Sequence, residues 1–253
     1  MFKFLFMILL FFNLSADKLG MYEHQGNFVD LDLIFLDEKD KEVSLKELMQ
    51  NKPTIITLNY YRCAGLCSPQ LNSLASTLDK MELDETKDYK VITISFAVED
   101  TSALAAQKKK NILSSMKRPF NPDAWSFLTG SQTSINSIVE TVGFHYEKTV
   151  SKKGSIDYIH PAAMVIISPK GKITRYLNGI DQLPFDVQLA LIEASDGRVG
   201  PTIAKTLLYC FSYDPKNKTY VFAFEKLFAV IMLLSVAWLL FYLIKHGRKK
   251  DEY

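Results

Sequence analysis

The chain has no second pair of cysteines. Of its 253 residues only three are cysteine, Cys63, Cys67 and Cys210, which counts against a structural zinc site needing four protein ligands. A basic field is missing too. Thirty Lys and Arg against 28 Asp and Glu leave a formal charge of +2, which argues against nucleic acid as a partner. The run Lys108-Lys109-Lys110 reads as a solvated helix face. No internal repeat or low-complexity tract interrupts the sequence, and 23% charged beside 48% apolar residues is ordinary for a globular chain. The length suits one well-buried domain with extras, or two small ones.

Charge is also absent from Leu227 to Ile244. About 18 apolar residues make a helix of roughly 27 Å, enough for the hydrocarbon core. Lys245, Arg248, Lys249 and Lys250 follow directly. The positive-inside rule keeps them cytoplasmic and places the preceding domain outside. At the other end, Lys3 precedes the apolar run Phe4 to Phe12, and Ser15 and Ala16 stand before Asp17. That is the layout of a secretory signal, with an uncleaved anchor as the alternative; export follows from both. The expected organisation is a signal peptide over 1–16, a folded domain over 25–196, a linker over 197–226, a transmembrane helix over 227–244 and a cytoplasmic tail over 245–253.

Within the domain, strand-like and helix-like segments alternate. Phe28 to Leu36 alternates apolar and polar, and Asp37 to Asp40 reads as a turn. Pro53 to Tyr61 is apolar and β-branched nearly throughout, as in a strand covered on both faces. A helix is expected from Ser68, with Ser68 as N-cap and Pro69 in its first turn. A second central strand follows over Tyr89 to Val98, a helix over Thr101 to Met116 and a short strand over Trp125 to Leu128. Ile135, Ile138, Val139 and Val142 line a helix that stops at Gly143. Ala162 to Ile167 and Ile173 to Leu177 flank a turn ending in Gly171, and Phe185 to Ala194 forms a last helix. The pattern predicts an α/β sandwich.

Cys63-Ala64-Gly65-Leu66-Cys67 sits between the first central strand and its helix. Three intervening residues let both sulfurs point to one spot, and the helix N-terminus favours thiolate. Three chemistries fit the pair: a structural disulfide, a redox-active dithiol, or copper ligation by soft thiolates. A third ligand has four candidates. His246 falls in the cytoplasmic tail, His24 in a segment expected to be mobile, and His145 at a helix end expected to be exposed. His160 stands just before Pro161 and the strand Ala162 to Ile167, an entry that lies opposite the nucleophile loop in a thioredoxin-like sheet. Two thiolates and one imidazole suit Cu(I). A structural histidine at a strand entry is the plainer alternative.

These stretches resemble the Sco/SenC family of copper chaperones. The resemblance is carried by Lys52-Pro53-Thr54 leading into Tyr60-Tyr61-Arg62-Cys63-Ala64-Gly65-Leu66-Cys67, then by Ile94 to Thr101, Trp125 to Gly130, Val142-Gly143-Phe144 and His160 with the hairpin after it. It implies a thioredoxin-like central sheet flanked by helices, with an N-terminal β extension and, in the subgroup suggested by the tail, a C-terminal membrane anchor. It further implies copper on Cys63, Cys67 and His160, and assistance to the copper site of cytochrome c oxidase subunit II or a related copper protein. The alternative it leaves is a thiol–disulfide oxidoreductase in which Cys63 attacks and Cys67 resolves, acting on the oxidase's copper-site cysteines or another exported substrate. Three positions depart from the family pattern. Ala64 replaces a proline, Ile159 replaces an aspartate before the histidine with Asp157 nearby, and Val98-Glu99-Asp100-Thr101 replaces an Asp-Pro-containing run. Cys210 is expected to be a buried inert thiol, with an intermolecular disulfide or a copper contact as alternatives.

Overall fold

The computed structural model describes residues 19–63, 65–150, 156–200, 211–214 and 219–222, together with Met232, Ser235, Val236, Trp238 and Leu239. The chain divides into two compact units after Gly200. In the first, β1 (Gly20–Met21) precedes a β extension made of β2 (Ile34–Leu36) and β3 (Glu42–Ser44), which leads into the short helix α1 (Leu45–Met49). Ser44 and Glu47 form a reciprocal capping box there. The turn between β2 and β3 is held by Asp37, whose Oδ1 accepts the N–H groups of Lys39 and Lys41 at 2.8 and 2.9 Å.

Next come β4 (Thr54–Asn59), α2 (Cys67–Leu78), β5 (Lys90–Ser95), α3 (Ser102–Ser114), β6 (Trp125–Leu128) and α4 (Gln132–Thr141). Three short strands follow, β7 (Phe144–His145), β8 (Glu147–Val150) and β9 (Ile156–Ile159), then β10 (Ala163–Ile167), β11 (Ile173–Asn178) and α5 (Pro184–Ser195). The central sheet runs β11-β10-β4-β5-β6. β4 pairs in parallel with β5, and β5 with β6, while β10 runs antiparallel to both β4 and β11. A βαβ half followed by a ββα half is the thioredoxin-like arrangement that the sequence suggested. Every residue of β4 and β5 is buried, which explains why both are rich in apolar and β-branched residues. Successive side chains alternate faces: Ile56 joins the core with Phe35, Leu45 and Val142, and Ile55 the core with Leu71, Trp125 and Leu191.

Several expectations are corrected. The strand expected over 28–36 is confined to Ile34–Leu36, because Asp30 accepts the N–H of Asp32 and turns the chain first. The segment bearing His24 is tied down: β1 pairs with β7, and the His24 N–H donates to the Tyr176 hydroxyl at 3.0 Å. His145 lies on β7 rather than at a helix end and is exposed, as expected. Lys109 is 9% exposed and ion-paired with Glu38, so that lysine belongs to the interior and not to a solvated face. Helix α2 starts at Cys67, and Ser68 does not cap it.

In the second unit, β12 (Phe211–Asp214) and β13 (Thr219–Phe222) pair antiparallel inside what the sequence marks as linker. Met232, Ser235, Val236, Trp238 and Leu239 are helical. Among the described residues no helix is long and apolar enough to cross a membrane. The rest of the expected span 227–244 lies outside the described residues, as do the signal peptide 1–16, Cys210, and the tail 245–253 with His246.

Candidate metal centre

Strand β4 ends at Asn59, and the next four residues carry the chain to Cys63 over the end of the sheet. Their course is fixed by Asp100. Its Oδ2 accepts the Tyr61 N–H at 2.6 Å and the Ser95 hydroxyl at 2.7 Å, and Arg62 Nε lies 3.7 Å from its Oδ1. The Tyr61 hydroxyl donates to the Leu128 carbonyl at 2.7 Å. Helix α2 then opens without a side-chain cap from Leu66. The Cys63 sulfur takes that part: the Cys67 N–H, one of the helix's unpaired donors, points at Cys63 Sγ from 3.3 Å. This is why the helix begins one residue ahead of the expected Ser68 cap.

His160 arrives from the far half of the chain, between β9 and β10. Its Nε2 is 3.2 Å from Cys67 Sγ, and its Nδ1 is 2.9 Å from the Pro161 carbonyl. A carbonyl only accepts, so Nδ1 holds the proton and Nε2 turns its lone pair to the sulfurs. The ligand atoms of Cys63, Cys67 and His160 all lie within 4.8 Å of one another. Three ligands at about 2.0–2.3 Å from a trigonal ion stand roughly 3.6–4.0 Å apart, so shifts of less than about 1 Å, narrowing the widest separation and opening the 3.2 Å Nε2–Sγ distance, would fit the set to one ion. Cys63 and Cys67 are 7% and 0% exposed and His160 is half-buried. The sequence expectation that these three converge holds.

Burial and hydrogen bonding split the two thiols. The hydrogen bond from the Cys67 thiol draws Cys63 well below the ordinary thiol range against the effect of burial, with help from the Cys67 N–H. The same bond, donated, pushes Cys67 up, and burial adds to it. One sulfur is thus a ready anion and the other holds its proton until a cation displaces it.

Sequence reading missed the surroundings. Tyr60, Phe96 and Phe144 set their rings 5.9, 5.2 and 6.1 Å from the imidazole of His160, and Tyr158 packs on Tyr60 and Phe96 at 5.1 and 5.4 Å. The Tyr60 hydroxyl donates to Asp157, which lowers that carboxyl. Ile159, where the resemblance implies an acid, is exposed, and the nearby Asp157 accepts from Tyr60. Asn59 donates to Gln70, and Gln70 to the Ala163 carbonyl, tying β4, α2 and β10 together beneath the thiols.

Residues 23–188 match the family model described as SCO1/SenC. A curated SCO1 protein homolog of Bacillus subtilis (strain 168) is 27% identical over 154 residues, which is 60% of this chain and 75% of the relative. Arabidopsis thaliana ScoI, solved with copper bound, superposes with a TM-score of 0.53 at 22% identity, covering 67% of this chain and 96% of its own. BsSco, described as a member of the Sco family of cytochrome c oxidase assembly proteins with a disulfide switch, has a TM-score of 0.50 at 21% identity, covering 70% of this chain and 99% of its own. At these identities the two structures bear on the fold.

Proposed function

The chain belongs to the SCO1/SenC family, and on that footing we propose that it takes up copper on Cys63, Cys67 and His160 and passes it to the copper site of a cytochrome c oxidase subunit or a related copper protein. The observation that carries this reading is the group of two sulfurs and one bare imidazole nitrogen within 4.8 Å. Soft thiolates select copper over hard cations, and three donors leave an open side for transfer. Copper is cargo here. His160 is the ligand with most solvent contact, so a partner's ligand enters on its side while the buried thiols hold the ion. The uncharged run 227–244 and the cations after it support tethering at the outer face of the cytoplasmic membrane.

Detergent-solubilised, reduced full-length chain titrated with Cu(I) or Cu(II) is expected to bind one ion per chain. With Cu(II) it should show thiolate-to-copper charge-transfer absorption. His160→Ala is expected to shift that band and weaken binding more than about tenfold, since even outer-shell changes cost 10–100-fold. A spectrum identical to the parent's would remove His160 from the ligand set.

Thiol–disulfide exchange is the second reading, favoured by two free thiols with opposite shifts. The Cys63 thiolate would attack a partner disulfide and release one thiolate. Cys67, losing its proton, would then attack Cys63 and release the second, so the partner gains two electrons and this chain ends with a Cys63–Cys67 disulfide. Nucleophilicity falls with pKa, however, so the depression that keeps Cys63 ready as a ligand and leaving group also blunts it as an attacker. That ordering places metal binding first. In the metal-free chain, alkylation of Cys63 by iodoacetamide is expected to be nearly flat from about pH 5 to 8, where an ordinary thiol of pKa near 8.5 gains about tenfold per unit. A tenfold-per-unit slope would show an undepressed thiol.

A further inference from the structure

We propose that Glu99 is a positioning residue for the copper site, whose carboxylate clasps the hairpin bearing His160 and holds the imidazole over the two thiols. The hairpin needs such a clasp. β8 and β9 form a two-stranded sheet of their own, hydrogen-bonded to no other strand among the described residues, and a lone two-stranded ribbon is marginal in water. β10 anchors His160 from one side, and on the β9 side its position depends on side chains that tie the ribbon to the domain.

Glu99 grips it at a cross-strand pair. Lys148 on β8 and Tyr158 on β9 are register partners. The Tyr158 hydroxyl lies 2.8 Å from both Glu99 carboxylate oxygens, and Lys148 Nζ lies 2.9 Å from Oε1. Lys148 Nζ also sits 5.8 Å from the centre of the Tyr158 ring. The other end of Glu99 reaches the cysteine loop: its carbonyl accepts from Arg62 Nη2 at 3.1 Å, next to Cys63. Asp100, which holds the Tyr61 N–H, is its neighbour. One residue thus links the two chain segments that supply the ligands. An exposed ion pair alone contributes little; the buried Tyr158 hydroxyl, 8% exposed as a residue, makes the contact specific. Glu99 touches no ligand atom and acts through the hairpin.

The proposal rests on the copper reading for its affinity readout, and amide exchange tests it without metal. In the metal-free full-length chain, Glu99→Ala is expected to speed hydrogen exchange at Tyr158 and Ile159 by at least about tenfold while α2 amides keep their protection. Competition with a Cu(I) chelator is expected to show copper affinity reduced about tenfold, the lower end of outer-shell effects. Glu99→Gln and Tyr158→Phe, which keep the shape, should fall between Glu99→Ala and the parent, and they carry the comparison if Glu99→Ala does not fold. In a His160→Ala background the Glu99 change should add nothing, because its effect runs through the imidazole. An equal loss in that background, or parental exchange in Glu99→Ala, would overturn the proposal. A parent chain that binds no copper would remove the proposed function and leave the clasp to be judged on exchange alone.

Discussion

Cys67→Ser is expected to lower copper affinity by well over about 100-fold, because it removes a ligand where outer-shell changes already cost 10–100-fold. Serine supplies a hard, protonated oxygen in place of a soft thiolate, and softness is the basis on which this donor set selects copper. The position gives no room for a substitute. Cys67 is fully buried in the first turn of α2, and His160 Nε2 faces its sulfur from 3.2 Å. Cys63→Ser is expected to lose copper as completely with little effect on the fold, since a serine hydroxyl can still accept the Cys67 N–H that no other side chain caps. Chelator competition and thermal unfolding, run on both variants, separate the two effects. Copper affinity of Cys67→Ser within tenfold of the parent would mean that the ion sits elsewhere.

The proposed ligands were legible in the sequence as a set of candidates because each stands at a boundary that composition marks. Cys63 and Cys67 lie where a β-branched run gives way to a helical period, and His160 lies at the entry to a second apolar strand. Both strands are buried on two faces, which makes their signal strong. The hairpin carrying His160 escaped for the opposite reason. Glu147–Val150 and Ile156–Ile159 are mostly exposed, so no alternation of apolar and polar residues announces them. The environment of the site is made by pairs that no local pattern encodes, such as Tyr60 with Asp157 and Glu99 with Tyr158. Lys109 shows the same limit: a lysine in a run of three looks solvated until Glu38 is brought to it across 71 positions. The misplaced cap at Ser68 has a chemical cause, a sulfur serving where capping rules look for oxygen.

Gly143→Ala is expected to be the most damaging small change outside the ligands, lowering stability by about 3 kcal/mol or more. Gly143 has φ +67°, and the left-handed conformation costs a residue with a Cβ roughly 1–2 kcal/mol. The methyl would also stand 1.9 Å from the Tyr22 carbonyl oxygen and 2.9 Å from its carbon, both backbone atoms that move only with the chain. Moving them breaks the 2.8 Å bond from the Tyr22 N–H to the Gly143 carbonyl, a further loss of about 0.5–1.5 kcal/mol, and disturbs the pairing of Met21 with Phe144. Urea unfolding followed by near-ultraviolet circular dichroism measures the change, and a loss below about 0.5 kcal/mol, the range of neutral surface changes, would show that β1 does not seat on β7. None of the three proposed ligands lies on β1 or β7. Copper affinity per folded molecule should therefore stay within about an order of magnitude of the parent, as expected for sites with no shared partner beyond the Phe144 ring. Stability lost with affinity kept would separate the scaffold that carries the site from the clasp and ligands that shape it.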